Sequence, residues 1–193
     1  AALQDARANA VIRPPKAGDT ARWHRRAFKS EVPVDYYAGS YRQHDLARPC
    51  LGRDVHVGAV AGVPHQQVPA SMQQLQAVLG PYLDALDLNF SRLDGAERVK
   101  ALATWIGTTV GAFIQIHPFL NGNGRMSRVL WSALLARFGI PHWFSILDRP
   151  ANPEYSEAMR DAMQGDYSTC VLIVLQALGK QPPPTQPTST ATA

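Results

Sequence analysis

The chain has 193 residues, 46% hydrophobic and 18% charged, with a formal charge of +4; these are the proportions of an ordinary globular domain with one core and exclude a collagenous or largely disordered chain. Its basic residues stand singly or in pairs such as Arg25-Arg26, so a nucleic-acid partner is not expected. Cys50 and Cys170 share no metal-type spacing, which fits a reducing compartment, and no continuous apolar run reaches spanning length, so a soluble protein without a membrane partner is expected.

Residues 1–19 lack the apolar centre of a signal peptide and carry the breaker run "RPPKAGD", which marks them as an N-terminal appendage. "GDTARWHRRAF" begins with a capping side chain and places Trp23 and Phe28 for an amphipathic helix. Residues 52–69 alternate Val55 and Val57 with Asp54, His56 and Gly58, the pattern of a short hairpin. In residues 70–86 the spacing of Met72, Leu75, Val78 and Leu79 predicts a second amphipathic helix. Asp94 followed by Glu97 is a capping-box start, and Val99, Leu102, Ile106, Val110 and Phe113 make the helix behind it apolar on more than one side, as a buried centre requires. "RMSRVLWSALLARFG" resumes helical spacing and stops at Gly139. Asn152-Pro153-Glu154 opens another helix to about Gln164, and Gly165-Asp166 ends it and caps the next. Residues 180–193, rich in proline and threonine, hold too little apolar surface to offset the entropy of ordering and are expected as a disordered tail. The chain is therefore mostly α, with one small β-hairpin.

Between the two most apolar helices stands "HPFLNGNGRMSR", residues 117–128, which contains no acidic side chain. Gly122 and Gly124 admit a ligand close to the backbone, and the free N–H groups at the start of the following helix form an anion site. Arg125 and Arg128, three apart in the first turns, put positive charge at the positive end of the helix dipole, a placement that an anion would relieve. Phosphate is the natural occupant. Asn123 offers an amide donor, and His117, on the other limb of the loop, is a candidate base with an intrinsic pKa near neutrality. Phe119 reads as a core anchor and Pro118 as a stiffener.

This stretch resembles the signature of the Fic family, His-Pro-Phe-x-Asp/Glu-Gly-Asn-Gly-Arg-x-x-Arg, with one departure. The resemblance extends through "WHRRAF", "YAGSYR", "DVHVG", "SMQQL" and "EYSEAMRDAMQGD" in the family's order, and it implies a Fic-type helical domain over residues 20–179. It implies a protein nucleotidyltransferase that moves AMP from ATP to a Ser, Thr or Tyr hydroxyl of a target protein, with Mg²⁺. It also implies roles residue by residue. His117 would be the catalytic base, Gly122, Asn123 and Gly124 the phosphate cradle, and Arg125 and Arg128 the β- and γ-phosphate ligands. Tyr155 would wall the nucleobase, and the hairpin would be a flap that pairs with an extended target segment. The expected location is the cytoplasm, or a host cytosol after delivery.

The departures qualify this picture. Asn121 stands at the metal-ligand position, usually Asp or Glu, and brings no negative charge. Met163 stands where some relatives place an asparagine near adenine, which leaves the base preference open. The family's inhibitory pattern of Ser/Thr, three residues, Glu and Gly/Asn is not found, so control would come from a separate inhibitory protein or from sequence outside this chain. The retained Gly124-Arg125 pair argues against the family's phosphate-transferring branch. A nucleotide-binding module with weak or no turnover, or transfer of another phosphate-containing group, is the alternative.

Overall fold

The computed structural model describes residues 1–140 and 153–179. The expected cap at Asn152 and the expected tail of residues 180–193 lie outside the described residues. Within them the elements are α1 (Ala2–Ile12), α2 (Asp19–Phe28), the strands β1 (His56–Val57) and β2 (Val60–Ala61), then α3 (Val68–Asn89), α4 (Gly95–Ile116), α5 (Asn123–Arg137), α6 (Pro153–Met163) and α7 (Ser168–Gly179).

Helix α4 is the axis of the molecule, packed against α3, α5, α6 and α7. Its start is the capping box expected from the sequence: the Glu97 N–H donates to Asp94 Oδ1 at 2.8 Å and the Asp94 N–H to Glu97 Oε2 at 3.0 Å. By length and composition alone α4 would pass for a membrane span, with a mean hydropathy of 1.3, although its apolar residues do not form one continuous run. That apolarity serves the protein's own core instead. Leu102, Ile106, Val110 and Phe113 are wholly buried and meet Met126, Leu130 and Leu134 of α5, Trp23 of α2 and Val174 of α7. Each such large aliphatic side chain contributes roughly 1.5–3 kcal/mol through removal from water.

Helix α3 continues through Gly80-Pro81, and its inward stripe is Met72, Leu75, Leu83 and Leu86 with Leu79 at its edge. Val78, expected on that face, is 63% exposed, because it lies three residues from Leu75 on the outward side of the stripe. Helix α5 ends at Gly139 as expected. Gly139 has φ +69°, its N–H donates to the Ala136 carbonyl, and the Ile140 N–H donates to the Leu135 carbonyl, the two bonds of a Schellman cap. Gly165 at φ +90° likewise ends α6, and Asp166 accepts the Ser168 N–H at 2.9 Å to open α7.

The N-terminal segment, expected as an appendage, forms a helix with a small-residue face. Ala2, Ala6 and Ala10 are buried where α1 lies on α5, and Arg7 donates to Ser132 Oγ at 3.0 Å. At the far end of the same contact Arg137 pairs with Asp87 of α3 at 2.7 Å and donates to the Val11 carbonyl. The hairpin is antiparallel, His56 opposite Ala61 and Val57 opposite Val60, with Gly58 at φ +60° in its turn. It is shorter than the sequence alternation suggested and projects beside the junction of α4 and α5.

Candidate active site

The loop between α4 and α5 is held from below. Phe119 is wholly buried, stacked on the His24 ring at 3.9 Å and packed against Tyr41 and Phe113. His24 itself is satisfied on both sides: its Nδ1 accepts the Gly39 N–H at 3.0 Å, so its Nε2 carries the proton and donates to the Asn121 carbonyl at 3.1 Å. Burial pushes its pKa down to about 4, against the opposing effect of the Asn121 carbonyl. Gly122 has φ +80°, and a Cβ there would meet the Phe28 ring at 2.8 Å, so this position requires glycine on both counts.

Asn123, expected to offer an amide donor to phosphate, uses its side chain inside the loop. The Phe119 N–H donates to Asn123 Oδ1 at 2.9 Å and Asn123 Nδ2 donates to the Phe119 carbonyl at 2.8 Å, with the residue 2% exposed. What Asn123 and Gly124 retain for a ligand is their backbone N–H groups in the first turn of α5, where the helix has no acceptors of its own. Nothing lies within 4 Å of a Cβ built on Gly124, so that approach is open.

His117 caps α4 in the left-handed conformation, φ 52° and ψ 57°, the one non-glycine residue with positive φ among those described. Its Nδ1 lies 3.2 Å from the Ile114 carbonyl. A carbonyl only accepts, so Nδ1 holds the proton and Nε2 is the basic nitrogen of the neutral ring. Burial lowers the pKa of this imidazole, the Ile114 carbonyl opposes that, and the nearby Arg42 charge lowers it further. The ring is thus neutral and able to accept a proton at physiological pH.

His117, Asn121, Gly122, Asn123, Gly124, Arg125, Arg128 and Tyr155 all line one cavity of about 690 Å³, closed by Val55, His56, Val57 and Val60 of the hairpin and by Met159, Arg160 and Met163 of α6. Arg125 is 61% exposed and lies over the Phe28 ring at 5.1 Å, with Glu31 at 3.7 Å. Arg128 differs in kind. It is 8% exposed, its Nε has no hydrogen-bond partner, and no ion pair holds it among the described residues. Tyr155 is half-buried beside Ser127 and Arg128; desolvation raises its pKa against their opposing pull, and its hydroxyl makes no hydrogen bond of good geometry among the described residues. Met163 both lines the cavity and packs with Ile114, Ala158, Ala162 and Cys170.

The resemblance implies Mg²⁺ at Asn121, and the described residues do not fit that role. Asn121 Oδ1 accepts the Gly122 N–H at 2.7 Å, so its oxygen shapes the loop. No carboxylate lines the cavity among the described residues, whereas a hard divalent cation is held by carboxylates and phosphates.

Two residues of the site were not singled out in the sequence. His24 could have been found, since it lies on the same face of α2 as Thr20, Trp23 and Phe28. Arg42, described below, bonds to carbonyls 74 and 75 positions away and leaves no local signal.

A helical domain with a cationic loop at a helix N-terminus, a neutral histidine opposite it and a hairpin over both offers an anion a place to sit. Residues 16–135 match the model of the Fic/DOC family, and the chain belongs to that family. It is similar to a Fido domain-containing protein of Dictyostelium discoideum, 37% identical over 82 residues, or 40% of this chain and 54% of that one. It is also similar to a protein adenylyltransferase Fic of Drosophila willistoni, 26% identical over 84% of this chain and 27% of the relative. The chain therefore spans about half of the first relative and about a quarter of the second. Among solved structures, a Fic domain containing signaling protein from Bacteroides thetaiotaomicron superposes with a TM-score of 0.60 at 20% identity, over 93% of this chain and 64% of that one. The BepC protein of Bartonella tribocorum, a VirB-translocated effector with bound AMPPNP, superposes at 0.53 and 17% identity, over 90% and 81%. These two likenesses concern the fold.

Proposed function

We propose that the chain is a protein nucleotidyltransferase that moves AMP from ATP to a hydroxyl side chain of a target protein. The observation that carries this reading is Arg128, a buried guanidinium whose Nε has no partner among the described residues, on the wall of a cavity large enough for a nucleotide. A buried cation without a counter-charge costs several kcal/mol, and a phosphate oxygen at that place offsets the cost. The nucleotide named for the Bartonella neighbour and the adenylyltransferase names of the Drosophila relatives favour ATP.

In this reaction His117 Nε2 takes the proton from the target hydroxyl as its oxygen attacks the α-phosphorus. The bond from that phosphorus to the β-phosphate bridging oxygen breaks, and pyrophosphate leaves. Arg125, Arg128 and the N–H groups of Asn123 and Gly124 offset the charge of the leaving group. The hairpin presents an unpaired strand edge to which an extended target segment adds.

Incubation with ATP labelled at the α- or the γ-phosphate, using wild type and His117→Ala, tests the proposal. Label from the α-position should appear on protein and fall by about 10²–10⁴-fold in the variant, with ATP affinity retained. Label from the γ-position would mean phosphate transfer, and binding without label would mean a nucleotide-binding module.

A further inference from the structure

Arg42 is wholly buried at the end of "YAGSYR", in a segment that crosses beneath both the catalytic loop and the hairpin. Its Nε donates to the His117 carbonyl at 2.8 Å, its Nη2 to the Ile116 carbonyl at 3.0 Å, and its backbone N–H to the Pro118 carbonyl at 2.8 Å. The Ile116 and His117 carbonyls belong to the end of α4, where the helix supplies no donors and its dipole favours a cation. The same guanidinium reaches both stems of the hairpin, with Nη2 on the Val63 carbonyl at 2.7 Å and Nη1 on the Arg53 carbonyl at 3.3 Å. Its nearest acid is Asp54 at 3.8 Å, which is half exposed and is itself engaged by the His65 N–H at 2.8 Å and ring at 2.9 Å.

One side chain thus ties the backbone of the base to the element that covers it. The left-handed backbone of His117 is strained for a residue with a side chain and persists only where its surroundings hold it. The hairpin needs the same support, because each of its strands is two residues long and only Val60 packs against the core. The fit is close on the hairpin side too: a Cβ on Gly62 would come within 2.9 Å of His117 Cβ and 3.3 Å of Arg42 Nη2.

We infer that Arg42 is a positioning residue for group transfer: its guanidinium holds His117 in the left-handed turn and fixes the hairpin above it, so that the hydroxyl of a hairpin-bound segment meets Nε2. This rests on the transfer reaction proposed above. Arg42 touches neither reacting group. It sets the height and angle at which they meet, and a misplacement of about 1 Å costs as much as ~10²-fold in rate. Lysine would not reproduce it, since one ammonium cannot span carbonyls that the planar fork reaches on two sides.

The test compares wild type with Arg42→Lys, Arg42→Met and Gly62→Ala by transfer kinetics, ATP affinity and NMR titration of the His117 imidazole. Among the described residues, the charged and titratable side chains near that ring are Arg42 itself and, around the same cavity, His56 of the hairpin, Arg125 and Arg128 of α5 and Arg160 of α6. In Arg42→Lys we expect kcat to fall about 10²-fold with ATP affinity within about threefold of wild type. In Arg42→Met the His117 pKa should rise, since a neighbouring positive charge is gone. Gly62→Ala keeps the Arg42 side chain but crowds His117 Cβ and Arg42 Nη2 where the hairpin stem meets them; it should lower kcat while sparing ATP affinity, so the inference stays testable where an Arg42 variant does not fold. Wild-type kcat in folded Arg42→Lys or in Gly62→Ala would overturn it. Should wild type transfer no label, the transfer reading fails by itself, and an unchanged His117 titration in folded Arg42→Met would then overturn the role of Arg42 separately.

Discussion

At the scale of single residues, the loop's two asparagines do work that their places in the motif conceal. Asn121 carries an amide where the family signature carries a carboxylate, and its oxygen is occupied by the Gly122 N–H. Wild-type affinity for ATP should therefore change little between chelator and Mg²⁺, which calorimetry under both conditions would measure. Asn121→Asp keeps the acceptor but sets a negative charge beside the phosphate chain, so it should weaken ATP binding in chelator and regain it as Mg²⁺ is added. Parallel titrations of the two proteins would count against any electrostatic role for this position. Asn123→Ala should do harm of another kind. It strips two buried backbone groups of Phe119 of their partners, each worth about 1–3 kcal/mol, and should lower the melting temperature together with activity. Sequence spacing placed both residues in the loop but could not tell a ligand from a clamp, because that depends on whether Phe119 turns back toward Asn123.

At the scale of elements, the legible features were those whose causes are local. The capping box at Asp94, the stop at Gly139 and the Gly165-Asp166 junction each arise from side chains or φ preferences within a few residues, and each is present. Val78 was misplaced because it stands one step, about 60°, outward of Leu75 at the margin of the stripe, and only the packing against α4 decides where that margin falls. The docking of α1 was illegible, since a face of alanines has almost no amphipathic contrast and acquires its meaning from the groove on α5. The loop-to-α5 junction allows a sharp test. Gly122→Ala combines a positive φ with a contact of 2.8 Å to Phe28, so it should destabilise the fold by more than about 1 kcal/mol and pull the N–H groups of Asn123 and Gly124 out of line. Loss of ATP binding beyond what the change in melting temperature explains is the expected result, measured by calorimetry well below the transition. Intact affinity would mean that the anion is held by the arginines alone.

At the scale of the whole molecule, the same buried histidine that supports the loop should govern stability in mild acid. His24 is 4% exposed, and its folded pKa of about 4 lies below the ordinary 6.5. Between those values the unfolded chain binds a proton that the folded chain refuses, so stability is complete above about pH 6.5 and falls as the pH drops toward 4. At about 1.4 kcal/mol per unit, this one group is worth of the order of 3 kcal/mol, and the depressed pKa of His117 acts in the same direction. The carboxylates of Asp45, Asp54 and Asp166, held below their usual range by Arg48, His65 and Ser168 respectively, release their contribution only at lower pH, below the histidine window. His24→Gln separates the two. Glutamine offers an acceptor and a donor of similar reach but does not titrate, so urea unfolding at pH 7.5 and 4.5 should show a much smaller loss for the variant than for wild type. Because His24 stacks on Phe119 and holds the Asn121 carbonyl, wild type should also lose ATP binding in this window before it unfolds, as the cradle loosens ahead of the core. Equal acid sensitivity in the two proteins would instead place the proton uptake elsewhere and leave His24 as packing alone.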